Sequence, residues 1–179
     1  MKRDFATYLP LVLFAGLIVA LDQWTKWLVR TYIPFGASWM PEGWEWLKPF
    51  VRIVNWTNTG AAFGMFQNGN TIFAILAVIV IIVIFYYYPL VERSDWTLRI
   101  AMGMQLAGAA GNLVDRLTFG MVTDFISMGT FPVWNVADAS ITVGVGVLLL
   151  GIPLKERAEK KNRELSKTAE PASENETPK

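Results

Sequence analysis

The sequence has no cysteine and no histidine. Without cysteine there is no disulfide framework, thiol nucleophile, zinc ribbon or iron–sulfur cluster. Without histidine there is no Ser-His-Asp triad, no His-ligated metal and no imidazole base. Charge is scarce in the body of the chain. Residues 155–179 hold 7 basic and 6 acidic residues, leaving 18 charges for the first 154. A net charge of +1 and the lack of a long basic stretch in the body argue against a nucleic-acid partner. What is abundant is apolar: 53% of residues are hydrophobic, against roughly 45–50% in soluble domains. Chemistry is left to Asp, Glu, Lys, Ser, Thr, Tyr, Asn and Arg. Among hydrolases this leaves a carboxylate pair, a Ser–Lys dyad or a metal held by oxygen ligands.

A helix crosses a bilayer with about 20 mostly apolar residues. Four segments qualify: about 8–29, 71–91, 96–117 and 133–154. The second has no charge at all. The third is the weakest, with Arg99 near one end and Asp115-Arg116 near the other. The first run is read as a retained span and not a cleaved leader, because no clear small-x-small site follows it. Lys2, Arg3, Arg93 and the basic tail fall on one side of a four-span frame, which predicts both termini in the cytoplasm. The expected fold is a mainly α membrane protein with four transmembrane helices. A small extracytoplasmic, β-containing module, about 31–70, lies between helices 1 and 2. Within it, Phe50–Thr57 has strand composition and Trp39–Leu47 reads as a short interfacial helix. Residues 1–154 form one domain. The tail, 155–179, reads as a charged cytoplasmic helical stub fading into disorder.

Ionisable residues in apolar spans are costly and point to function. Asp22 and Lys26 sit four apart on one helix face, in the favourable order for an ion pair. A pair that fixes the helix end and snorkels outward is preferred here to direct chemistry. Gly108, Asn112, Asp115 and Arg116 share a face at helical spacing, suited to close packing and polar contacts. Asp115 is expected to be held ionised by Arg116 or another cation. Asp124 follows in a β-branched stretch. Asn135 is a plausible N-cap, which places Asp138 in a first helical turn. A short return over 127–132 can bring Asp124 and Asp138 together. Each alone is a commonplace loop or first-turn aspartate. Together they fit the acid/base pattern of two carboxylates in unlike environments.

Five stretches occur in order: Asp22-Gln23-Trp24-Thr25-Lys26; Asn58-Thr59-Gly60-Ala61-Ala62-Phe63; Gly108 through Arg116; Val122-Thr123-Asp124-Phe125; and Asn135-Val136-Ala137-Asp138-Ala139-Ser140-Ile141. This set resembles the motifs of the bacterial signal peptidase II family over about residues 8–154. The resemblance implies an intramembrane aspartyl endopeptidase of the bacterial cytoplasmic membrane, with its site at the extracytoplasmic face. Such an enzyme removes signal peptides from prolipoproteins just before a diacylglyceryl-cysteine. Carried over by motif, the catalytic pair is Asp124 and Asp138. The supporting residues are Asp22, Lys26, Asn58, Gly108, Asn112, Arg116 and Asn135. The resemblance also implies no metal or cofactor, a monomer among membrane lipid, and cyclic peptide antibiotic inhibitors at the dyad. Ala139-Ser140 reverses the family's common Ser-Ala order.

Two other classes fit parts of the pattern. A proton-coupled transporter also uses intramembrane carboxylates, but here the ionisable residues crowd one surface and no matched halves exist. A Ser–Lys peptidase using Lys26 with Ser127 or Ser140 would need a neutral lysine, whereas Asp22 holds it charged.

Overall fold

The computed structural model describes residues 5–60, 66 and 68–169, without the side chains of 152, 154–159 and 161–169. Lys2, Arg3, the Ala61–Phe63 part of the second motif and residues 170–179 lie outside the described residues. The element order is α1 (Phe5–Tyr32), β1 (Ser38–Trp39), a 3-10 turn (Glu45–Leu47), β2 (Val51–Asn58), α2 (Asn70–Tyr87), a 3-10 turn (Tyr88–Leu90), α3 (Trp96–Phe119), β3 (Val122–Met128) and α4 (Val136–Ala169).

The four helices fall where the apolar segments predict them. In α2 only Ile84 is buried. A helix that is apolar all round and exposed almost all round is suited to lipid rather than water. Two helical segments, Phe5–Tyr32 and Asn70–Leu90, are long and apolar enough to cross a membrane, and Val136–Gly151 is a shorter apolar stretch. Asp95 starts α3 by accepting the backbone N–H of Leu98 at 3.2 Å. Gly120 ends it in the left-handed region at φ 71°, with its N–H returned to the Arg116 carbonyl. Against α4, α3 packs through small residues. A Cβ on Gly108 would lie 2.5 Å from the Ala137 carbonyl oxygen and would also meet Ile141. The helical stub after Leu154 is longer than its sequence suggested, since α4 continues to Ala169.

The sheet is antiparallel with order β1-β2-β3. The predicted strand over 50–57 is β2, one residue on. The module is not built from residues 31–70 alone, because its third strand comes from between α3 and α4. There Trp56 pairs with Asp124 and Asn58 with Val122. The predicted interfacial helix over 39–47 is also corrected. Trp39 belongs to β1, and only Glu45–Leu47 makes a helical turn. Pro41 and Gly43, the latter at φ 83°, break the stretch between them. Trp39, Trp44, Trp46 and Trp56 remain more than half exposed. An irregularity between Ile53 and Trp56 lets buried Asn55 donate to the Ile33 carbonyl at 2.7 Å, tying β2 to the end of α1. Val29, Ile33 and Phe125 form the apolar cluster beneath the sheet.

Candidate active site

Asp124 lies on β3, buried, because Val122–Phe125 is covered on both faces. Trp134 bridges back to Ile126, so the chain reverses within a few residues and delivers Asn135 to the start of α4. Asn135 then acts as the predicted cap. Its Oδ1 accepts the Asp138 N–H at 2.9 Å, and its own N–H reaches Asp138 Oδ2 at 3.3 Å. This reciprocal pair is a capping box with Asp in the acidic position. The Asn135 Nδ2 also donates to Asp124 Oδ1 at 2.7 Å. One residue therefore holds both carboxylates, Asp124 through its side chain and Asp138 through its backbone N–H. Asn112 fixes Asp138 from α3, donating to its Oδ1 at 2.8 Å.

Both carboxylates open on a cavity of about 960 Å³. Asn58, Gly108, Asn112 and Arg116 line it as well. Its remaining walls are chiefly apolar and come from α2, α3, α4 and the return after β3. Burial pushes the Asp124 carboxyl up to about 7, and the neighbouring Asp138 charge adds to the effect. Hydrogen bonds from Asn135 and Asn58, and the Lys26 charge, oppose the rise.

Asp22 and Lys26 do not line this cavity. The expected outward snorkel is wrong: both are fully buried, 2.8 Å apart. The reason is a polar face on α3. Lys26 also reaches Asp115 at 3.3 Å and donates to Asn112 Oδ1 at 3.1 Å. Arg30, one turn further along α1, lies 3.6 Å from Asp115 and donates to Thr123 Oγ1 at 3.0 Å. Asp115 is thus held by Lys26 and Arg30 rather than Arg116. Consecutive helical residues point in different directions, and Arg116 turns to the cavity, its guanidinium 5.4 Å from the Phe73 ring centre. The four residues expected on one α3 face therefore divide among α4, α1 and the cavity.

The buried carboxylates have a second task. Asp22 Oδ1 accepts the N–H of Ala137 at 2.9 Å. Asp115 Oδ2 accepts the N–H of Thr123 at 2.9 Å. Ala137 and Thr123 are the residues immediately before Asp138 and Asp124. Each candidate catalytic aspartate thus has its backbone fixed by another aspartate, and Lys26 joins the two anchors. Gln23 completes the cluster with bonds to Asp22, Asp115 and the Gly111 carbonyl at 3.0–3.1 Å. Gln23, Arg30 and Thr123 were missed as site residues. The Asp22-Lys26-Arg30 spacing of four was the available signal for Arg30.

A family model described as signal peptidase (SPase) II matches residues 14–154. The chain is 39% identical to a lipoprotein signal peptidase of Shouchella clausii over 149 residues, covering 83% of this chain and 95% of that one. It is 39% identical to one of Symbiobacterium thermophilum over 150 residues, with 82% and 95% covered. It is 32% identical to one of Staphylococcus aureus over 158 residues, with 86% and 93% covered. Among solved structures, it is similar to a bacterial membrane enzyme determined by the in meso method at 2.3 Å resolution. The TM-score is 0.72 at 30% identity, over 84% of this chain and 91% of that one.

Proposed function

The chain belongs to the signal peptidase II family, and on that premise we propose that it removes the signal peptide from diacylglyceryl-modified prolipoproteins as an aspartyl endopeptidase. The cut falls just before the lipid-modified cysteine. The observation that carries the reading is the tie of Asp124 and Asp138 to one Asn135 side chain and backbone, with both carboxyls facing one cavity.

The dyad works with one proton between its members, since two adjacent buried carboxyls resist ionising together. In the ground state we place that proton on Asp124, whose carboxyl burial pushes up to about 7. Asp138, in the first turn of α4 at the positive end of its dipole, is left as the carboxylate. Asp138 takes a proton from water as the water oxygen attacks the scissile carbonyl carbon. Asp124 gives its proton to the carbonyl oxygen, producing a neutral gem-diol. The C–N bond then breaks. Asp138 passes its proton to the departing amine, and Asp124 recovers one from the diol. The products are the signal peptide's carboxyl end and the free amine of the modified cysteine. Asn112, Asn135 and Asn58 hold the two carboxyls during these transfers, and Arg116 meets substrate carbonyl oxygens in the cavity.

The enzyme acts as a monomer in the bacterial cytoplasmic membrane, on four spans with both termini cytoplasmic and the dyad at the outer face. Exposed tryptophans of the sheet module suit the interface there. Cyclic peptide antibiotics that inhibit the family compete at the dyad. The test is incubation of the purified chain with a prolipoprotein carrying the diacylglyceryl group and with its unmodified form. Cleavage before the modified cysteine, and little or none of the unmodified form, is expected. Equal cleavage of both would remove the lipid from the recognition, and no cleavage of either would refute the reading.

A further inference from the structure

A peptidase must open the substrate's helix, because a helical carbonyl is already engaged in a backbone hydrogen bond. Each N–H released away from water then needs an acceptor. The cavity continues past the dyad along α3 and α4, where its walls are chiefly apolar, with Phe73, Ala77 and Val80 of α2 opposite. Gln105 is an amide in that wall. Its Nε2 donates to the Ile141 carbonyl at 3.0 Å. Gly144 leaves room for this amide, since a Cβ there would lie 3.1 Å from Nε2. The Oε1 has no donor among the described residues. The amide is not needed to join the two helices, because Ser140 Oγ already donates to the Met104 carbonyl at 2.7 Å beside it.

We propose that Gln105 positions the substrate by accepting a backbone N–H from the unwound signal segment, two or three residues before the scissile bond. This rests on the reading of the cavity as the substrate groove. The spacing follows from the helices. Gln105 lies two turns, about 10 Å of rise, from Asn112 on α3, and its partner Ile141 lies about 4.5 Å of rise from Asp138 on α4. An extended peptide leaving the dyad covers about 3.3 Å per residue, so its second or third N–H arrives at this depth. An acceptor for the backbone places no demand on the side chain there, which leaves apolar residues of any shape admissible. Gln105 touches no reacting atom and is a positioning residue.

The test uses diacylglyceryl-modified prolipoprotein peptides in which one amide, at the second or third position before the cut, is replaced by an ester, which removes that N–H. With the wild-type enzyme, one of the two esters should lower kcat/KM by about tenfold, the scale of a lost hydrogen bond in a dry site. Gln105→Leu should lose a similar factor with the all-amide peptide and nothing more with that ester. Ser140→Ala, which breaks the adjacent contact between α3 and α4, should keep the full ester penalty and so separates positioning from packing. Equal ester penalties in wild type and Gln105→Leu, or none at either position in wild type, would overturn the proposal while leaving the peptidase reading intact. Failure of the wild type to cut the all-amide peptide would overturn both.

Discussion

Lys26→Met tests whether the buried cluster, rather than the lysine itself, is what the site depends on. The change removes the Nζ contacts to Asp22 at 2.8 Å, Asp115 at 3.3 Å and Asn112 at 3.1 Å. Of the two fully buried carboxylates, Asp115 then keeps Arg30, 3.6 Å away with a side chain 26% exposed, and Asp22 keeps no cation partner among the described residues. Breaking a buried pair by deleting one partner costs about 3–5 kcal/mol. That is a large part of the roughly 5–15 kcal/mol that holds a folded domain together. At about 2–4 °C per kcal/mol for a chain of this size, Tm should fall by roughly 6–20 °C. Tryptophan fluorescence in detergent can follow the unfolding. Cleavage should fall too, because Asn112 loses the contact that aims it at Asp138. The double variant Asp22→Asn/Lys26→Met is the decisive one. It restores charge balance, with Asp115 facing Arg30, and the amide put in place of the Asp22 carboxylate keeps an oxygen for the Ala137 N–H. Most of the lost Tm and part of the lost turnover should return. A lysine acting as a general base predicts the opposite, a double variant that is stable and still inactive. A single variant within about 1 °C of wild type would show that the cluster is hydrated or unformed.

Three further outcomes are expected. Asp124→Asn and Asp138→Asn should each lower turnover by about 10²–10⁴-fold or more in folded protein, with substrate still bound. The double variant should be hardly worse, because the two act as a unit, and near-normal cleavage by folded Asp124→Asn would end the aspartyl mechanism. In the cysteine-free background, Ser38→Cys should react with an impermeant thiol reagent in intact cells and Ser166→Cys should not. The reverse pattern would invert the topology.

The frame was legible because each helix announces itself locally. Runs of apolar residues give α1, α2 and the start of α4, and Asn135 three residues before Asp138 gives the box that opens α4. Local signals also single out Asp124 and Asp138 as candidates, and both line one cavity. What could not be read was who meets whom. Asp22 and Lys26 look like a snorkelling surface pair until Asp115, 92 residues beyond Gln23, is brought against that face. The module looked self-contained because β1 and β2 are neighbours in sequence, whereas the strand that completes it is delivered by the end of α3. The motif over Gly108–Arg116 read as one packing face because helical spacing gives direction but not depth. Gly108, Asn112 and Arg116 all line the cavity, Gly108 against α4 and Asn112 on Asp138, whereas Asp115 faces the cation cluster on α1.

Burial of the dyad has a thermodynamic consequence that separates its function from its stability. The Asp124 carboxyl is raised from the ordinary value of 3.8 to about 7. The folded state therefore holds a proton that the unfolded chain releases at much lower pH. The stability this contributes is complete below about pH 4 and is lost as pH rises through about 7. A rise from 3.8 to about 7 corresponds to at most about 4 kcal/mol, reduced by whatever water the open cavity admits. Asp124→Asn cannot ionise and should avoid the loss. Its Tm should match wild type only below about pH 4, and its advantage should grow as pH rises to about 7 and hold steady above that, reaching several degrees at pH 8. In the proposed mechanism the scissile carbonyl requires this proton, so turnover by the wild type should decline around pH 7, where the Tm difference levels off. Coincidence of the turnover midpoint with the pH at which the Tm difference levels off would tie both to one carboxyl. A Tm difference that does not change between pH 5 and pH 8 would mean that Asp124 is ionised throughout, and the proton would then have to be assigned to Asp138.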